Sequence, residues 1–159
     1  MERNPFAKLS NHWEDILADM EATAAEYREQ GWEAMELHPG DVTTLAPDEE
    51  DDTFGLDVLL PGDEFDELEG RVESGASFDA YQVFRGEGSG LVLLLVAMED
   101  ETNELAALFP AYFDPSEAGE MREAAFSEGR MYSHVRPLDR RNIVTFEHDD
   151  PALFFDPDA

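Results

Sequence analysis

The most restrictive feature of this sequence is an uninterrupted run of eight apolar residues, LVLLLVAM, at positions 91–98. A strand with one face in water alternates apolar and polar side chains, and this run does not alternate. We therefore expect residues 91–98 to form a central strand that is covered on both faces. The run is also far shorter than the roughly 20 residues that a membrane-spanning helix needs.

The rest of the chain predicts helices and strands joined by short turns. Asn11 with Glu14 matches a capping box that opens a helix, and Gly31 is a natural stop for it. Asp114, Pro115 and Glu117 form a second strong helix start. The predicted strands are residues 32–38, 42–45, 54–60, 78–85, 91–98, 105–113, 131–138 and 143–148, and the predicted helices are 11–30, 63–74 and 114–128.

This order predicts a single α+β domain over residues 1–159, with a mainly antiparallel sheet and about three helices packed on it. Residues 1–9 are assigned to an N-terminal tail and residues 149–159 to a C-terminal tail. Pro110 predicts an edge, a bulge or an end within its strand. We expect Leu153, Phe154 and Phe155 to dock back onto the chain's own sheet, the alternative being an anchor to another subunit.

The net charge of −29 predicts the environment of the protein. The 39 acidic residues are spread along the whole chain, whereas an acidic tail would concentrate them. A nucleic-acid mimic or a cation buffer would need a special arrangement of acids, and no calcium-loop pattern occurs. At about 1 M salt the Debye length is roughly 3 Å, so surface repulsion is nearly silenced. The charge therefore favours a halophilic, cytoplasmic protein, and the N-terminus lacks an apolar signal core.

Two segments carry a family resemblance. Residues 31–42, GWEAMELHPGDV, and residues 91–113, LVLLLVAMEDETNELAALFPAYF, resemble a small family that is confined to haloarchaea and is a domain of unknown function. The resemblance implies an archaeal host with a salty cytoplasm. It implies no catalytic residues.

The strongest functional lead is a group of rare cations near the last predicted hairpin. The chain has nine arginines and one lysine, and Arg130, Arg136, Arg140 and Arg141 lie within twelve residues, with His134 among them. A loop at residues 139–142 would place Arg136 opposite Thr145 and His134 opposite Glu147, with Met131 and Val135 on the other face, across from Asp150 and Phe146.

A bidentate guanidinium suits a phosphate or carboxylate ligand. The sequence therefore predicts an anion-binding surface formed by His134, Arg136, Arg140 and Arg141. A carboxylate beside His134 would favour its protonated form and make it a candidate acid or base. The competing interpretation is a solvated hairpin face whose arginines pair with the abundant carboxylates.

Other chemistry has weaker support. The glycines at 86–90 precede a strand, whereas phosphate-binding loops precede a helix, so we expect a hairpin loop. No histidine spacing indicates a metal, no serine lies in a nucleophile elbow, and the chain has no cysteine. We therefore predict no catalytic residues, no metal and no cofactor, and no binding of nucleic acid or membrane.

Three functions remain open. The leading one is a non-enzymatic interaction module that forms a homo-oligomer or docks on a cytosolic protein. The second is a small anion- or metabolite-binding regulatory domain that uses the arginine-rich hairpin. The third is an enzyme with His134 as its acid or base.

Overall fold

The computed structural model describes residues 5–47, 54–88, 90–139 and 142–155, with side chains from residue 12 onward. The helices are α1 (Pro5–Glu29), α2 (Gly62–Glu73), α3 (Gly119–Glu128) and a short 3-10 helix (Pro151–Phe154). The strands are β1 (Glu33–Glu36), β2 (Asp41–Leu45), β3 (Gly55–Leu59), β4 (Ala80–Gly88), β5 (Leu91–Asp100), β6 (Leu105–Phe113), β7 (Met131–Arg136) and β8 (Val144–His148). The elements follow the predicted order, and the α+β class is confirmed.

The strands form two mixed sheets rather than one mainly antiparallel sheet. One sheet has the order β1-β6-β5-β4 and the other β2-β3-β7-β8, and each contains one parallel pair, β1 with β6 and β3 with β7. Short turns identify antiparallel neighbours that follow each other in the chain. The parallel pairs join strands that are distant in sequence, so turn signals do not reveal them.

Strand β5 confirms the prediction made from the apolar run. It lies inside its sheet, between β4 and β6. Its side chains alternate between two cores: Val92, Leu94, Val96 and Met98 join the core between the two sheets, while Leu91, Leu93, Leu95 and Ala97 join the core beneath α1. An all-apolar strand is stable here because neither face meets water.

Helix α1 covers the outer face of the first sheet. Its buried stripe is Ile16, Met20, Ala24 and Tyr27, at the predicted helical spacing. The helix begins at Pro5, not at Asn11, so the predicted capping box lies inside it and residues 5–9 are helical. Proline is favoured in the first turn of a helix, because the first amides have no partner within it.

Helix α3 also begins later than its strongest sequence signal. It starts at Gly119, and its buried residues are Met121 and Ala125. The carboxylate of Asp114 accepts hydrogen bonds from the backbone amide and the hydroxyl of Ser116, at 2.9 and 2.7 Å. Asp114 therefore stabilises the turn that precedes the helix.

The end of the described chain docks onto its own domain, as predicted. Phe154 and Phe155 are buried in the core between the sheets, whereas Leu153 remains 40% exposed. Arg85 donates a hydrogen bond to the carbonyl oxygen of Phe155 at 2.6 Å. The segment is thus fixed by ring packing and by a cation from β4.

Pro110 lies in the part of β6 that is not paired with β1. Strand β1 pairs with β6 only from Leu105 to Leu108. Beyond that point β6 is paired with β5 alone, so an absent amide costs no ladder hydrogen bond on the β1 side. The predicted edge character of Pro110 is therefore local, within a strand that is otherwise internal.

Candidate functional site

The last hairpin pairs two residues away from its predicted register. The observed partners are Met131 with His148, Tyr132 with Glu147, Ser133 with Phe146, His134 with Thr145, and Val135 with Val144. The predicted loop at 139–142 was too short, because β7 ends before Pro137, which has no amide to donate to the ladder. A shift of two residues keeps each side chain on its predicted face.

Arg136 lies in an ion pair within the second sheet. Its Nε and Nη2 atoms each donate to a carboxylate oxygen of Asp57 at 2.9 Å, and its Nη1 donates to the Pro137 carbonyl at 3.3 Å. The Arg136 and Asp57 side chains are only 13% and 14% exposed. The hydrogen bonds that Arg136 donates to Asp57 raise the pKa of the guanidinium. The bidentate fork that suits an external anion is therefore engaged internally.

The other predicted anion-binding residues are partly described. His134 lies on the same face as Arg136, with its Nδ1 3.0 Å from the Thr145 hydroxyl and its ring stacked on Tyr132. Arg140 and Arg141 lie outside the described residues. The anion site stays a prediction. The expected partner of His134, Glu147, pairs with Tyr132 instead.

The tip of this hairpin exposes apolar side chains. Leu138 is 80% exposed and Ile143 is 54% exposed. Leu138 borders an open depression of about 580 Å³ that also includes Leu60 and Pro61. The tip therefore forms an exposed apolar surface at the end of the second sheet.

A buried serine–histidine pair lies between β7 and β8. The Ser133 hydroxyl is 2.8 Å from His148 Nε2, and both residues are fully buried. The imidazole packs between the rings of Tyr81 and Phe154, with ring-centroid distances of 4.8 and 4.7 Å. Its Nδ1 has no hydrogen-bond partner, and burial lowers the pKa of His148 to about 3. Because no substrate reaches this hydroxyl, we assign the pair to the core.

An open groove lies between α1 and β4. Strand β4 is the last strand of its sheet, and α1 packs over β1, β5 and β6. Among the described residues, α1 contacts β4 at Gly88 and at Gln82 and leaves Phe84 between these contacts 47% exposed. Two adjoining depressions of about 400 and 420 Å³ lie there, and both are lined by Thr23, Glu26 and Phe84.

The side chains of β4 alternate between the groove and the core. Gln82, Phe84 and Gly86 line the groove, and the backbone of Gly88 lies against the His12 ring. Tyr81 and Val83 pack against the core between the sheets. Phe84 is 47% exposed, which leaves an aromatic ring on the floor of the groove.

One end of the groove contains a hydrogen-bonded network. The Tyr27 hydroxyl donates to a Glu99 carboxylate oxygen at 2.5 Å, and the Gln82 amide donates to the same oxygen at 2.9 Å. Burial, together with this carboxylate, raises the pKa of Tyr27. The Trp32 ring packs on Tyr27 with a centroid distance of 5.5 Å. The network holds this end of the groove in one geometry.

The groove is strongly acidic. It is bordered by six acidic residues, Asp15, Asp19, Glu26, Glu87, Glu99 and Glu101, of which Glu87 is in register with the core-facing Tyr81 and Val83 on β4. Arg85 also borders it, but its guanidinium is bonded to the Phe155 carbonyl. No group of three or more histidine, aspartate or glutamate side chains within the described residues has the geometry to hold a metal ion.

Sequence reasoning did not find this groove. It placed residues 78–85 in a strand but had no means of telling which strand ends the sheet. The available signal was Phe84, an aromatic residue between the outward-facing Gln82 and Gly86. That pattern marks an open face only when the neighbouring helix is known to leave it uncovered.

The fold is an α+β domain of two packed four-stranded sheets, and β4 is the last strand of the first sheet. The chain belongs to a family of unknown function, DUF7529, whose model matches residues 2–156. No curated protein and no solved structure matches the chain. None of the helices in the described part of the chain is long and apolar enough to cross a membrane.

Proposed function

We propose that this protein is a non-enzymatic interaction module that binds an extended segment of a partner protein along β4. The observation that carries the proposal is a long edge strand beside an open groove. Adding a strand to an exposed sheet edge is a common way to bind a peptide, because backbone hydrogen bonds supply affinity and the adjoining pockets supply specificity.

Strand β4 is long for a strand at the edge of a sheet. β4 has nine residues, against about five or six in a typical strand. Among the described residues, the backbone hydrogen bonds of β4 go only to β5. Proteins usually protect such edges with lysine, proline, a bulge or a covering loop. β4 contains neither lysine nor proline, although it carries Arg85 and Glu87 and contacts the short 3-10 helix.

Site-specific photocrosslinking in the native host tests this function. A benzoyl-phenylalanine replaces Phe84 in one variant and Phe126 in another. Phe126 is the matched control, because it is 43% exposed but lies on α3, outside the groove. We expect the residue-84 probe to crosslink to a defined segment of another protein, and the residue-126 probe to give no such product.

Two results would contradict the proposal. Equal products from both probes would mean that the groove has no special role, and no product at residue 84 would mean that β4 has no partner. A product between two copies of this chain would instead make the module self-associating. Sedimentation velocity at high salt would then show a dimer that is lost in Phe84→Asp.

We also propose that the protein works in the salty cytoplasm of a haloarchaeal cell and that its family is restricted to such cells. The net charge of −29 supports it, as does the near absence of lysine. In dilute buffer the carboxylates repel one another over about 10 Å or more, so the fold should loosen. Circular dichroism at about 0.1 M and about 3 M KCl measures this. Equal stability at both concentrations would contradict a halophilic origin.

A further inference from the structure

From the charge and shape of the groove, we infer that its occupant is an extended, cationic segment with arginine or lysine at alternate positions. This inference rests on the proposed function and names the chemistry of the partner.

The length of the groove follows from two contacts. His12 of α1 lies against Gly88, and Tyr27 of α1 is bonded to Gln82, with Nε2 to Oη at 3.2 Å. The fifteen-residue separation spans about 22 Å along a helix, and the six-residue separation spans about 20 Å along a strand. Because the two spans are nearly equal, α1 and β4 lie side by side over this length. They run in opposite directions, because the earlier residue of α1 contacts the later residue of β4. The groove therefore accommodates about six extended residues.

The acidic wall has the periodicity of a strand. Asp15 and Asp19 are one helical turn apart on α1, so their carboxylates are separated by about 6 Å along the axis. Alternate side chains of an extended segment are about 7 Å apart. Two successive cations on one face of an added strand would therefore meet Asp15 and Asp19 on α1.

The floor of the groove suits long cationic side chains. Gly86 has no side chain to block it, and Phe84, two residues before it on the same face of β4, presents its ring. An arginine stem packs on an aromatic face, and its guanidinium is attracted to the ring. The acidic residues of the lining outnumber its one arginine, Arg85, whose guanidinium donates to the Phe155 carbonyl.

High salt distinguishes binding in the groove from a general attraction of cations to the acidic protein. At about 2 M KCl, long-range attraction to an acidic protein is nearly abolished, so a polycation gains little from net charge. Contact ion pairs, backbone hydrogen bonds and the Phe84 contact remain. Binding that persists in high salt therefore reports the groove rather than the overall charge.

Calorimetric titration with synthetic peptides in about 2 M KCl tests the inference. The peptides have about seven residues, with blocked termini, and alternate threonine with arginine, glutamine or glutamate. We expect the arginine peptide to bind, and the glutamine and glutamate peptides to bind at least about tenfold more weakly. Equal binding of the arginine and glutamine peptides would overturn the cationic preference while leaving strand capture intact.

Backbone methylation tests the strand geometry. Amides of alternate residues in a strand point to opposite sides, so only one set faces β4. Methylating the arginine amides or the threonine amides should abolish binding in one case and be tolerated in the other. Equal effects of the two would overturn strand addition. Failure of every peptide, with a residue-84 crosslink present, would overturn this inference and not the proposed function.

Two matched pairs of variants locate the site. Phe84→Ala should weaken the arginine peptide by about tenfold or more, and Phe126→Ala should not change its affinity. Glu26→Gln should weaken it by about threefold, while Glu73→Gln, an exposed glutamate on α2, should have no effect. Equal losses within either pair would place binding elsewhere.

Discussion

The outward faces of β7 and β4 differ in how far their side chains are already engaged by contacts within the chain. On β7, Arg136 is held by Asp57 through two hydrogen bonds, and the ring of His134 is stacked on Tyr132. On β4, by contrast, Phe84 is half exposed, and the strand has no partner on its outer edge among the described residues.

A residue type that is rare in a chain is not necessarily available to bind a ligand. Arginine is scarce in this chain, which made the last hairpin the prominent candidate. In a sequence with 39 acids, however, a rare cation readily meets an internal carboxylate, as Arg136 does. Availability depends on which strand ends a sheet and on what the nearest helix covers.

Removal of Arg136 should have the largest effect on stability. Arg136→Ala leaves the Asp57 carboxylate largely buried without its partner, and we expect a loss of about 3 kcal/mol in the free energy of unfolding. Urea denaturation in high salt measures it. The exposed Arg130→Ala is the control and should change stability by less than about 0.5 kcal/mol. A similar small change in both variants would mean that the β7 face is not held closed by this ion pair.

Acidification should have the next largest effect, through His148 on the inner side of the same hairpin. Its pKa is about 3 when folded and near 6.5 when unfolded, so the unfolded state binds the proton first. This contribution to stability is complete above about pH 6.5 and is lost as the pH falls towards 3. By pH 5 the loss should be about 2 kcal/mol.

Other acidic residues are close to His148 in the sequence, so the test compares variants with the wild type. Asp149 and Asp150 adjoin His148, and Tyr81 packs on it. Denaturation curves for wild type, His148→Gln and His134→Gln at pH 7 and pH 5 separate the contributions. We expect the decline to shrink in His148→Gln alone. An unchanged decline in that variant would contradict burial of a neutral imidazole.

Phe84→Ala should have the smallest effect on stability. The ring is half exposed, so its truncation should cost no more than about 1 kcal/mol. Thermal denaturation measures this beside the peptide titrations. A small stability loss with a large binding loss would sharpen the contrast with Arg136. A loss of several kcal/mol would mean that Phe84 supports the fold and is not a free contact residue.

Much of the fold could be predicted from local signals. The non-alternating run of β5 indicated burial on both faces, and the stripe from Ile16 to Tyr27 indicated which side of α1 is buried. Both depend on periodicity, which neighbouring residues determine. The ends of the elements were predicted less accurately. Helix α1 begins at Pro5, about a turn and a half before the predicted start, and α3 begins at Gly119, after its predicted start at Asp114.

The site depended on contacts that local signals do not encode. Asp57 and Arg136 are 79 residues apart, and the two parallel strand pairs are set by similarly distant packing. The edge position of β4 follows from the order of all four strands in its sheet. One sequence does not contain this order as a pattern.

Hydrogen exchange of the backbone amides, with and without the arginine peptide, tests the central claim most directly. We expect peptide binding to slow exchange within Ala80–Gly88, at alternate amides on its free edge, and to leave Met131–Arg136 and the Leu138 tip unchanged. Unchanged exchange in β4 with saturating peptide, or protection confined to the last hairpin, would contradict the account.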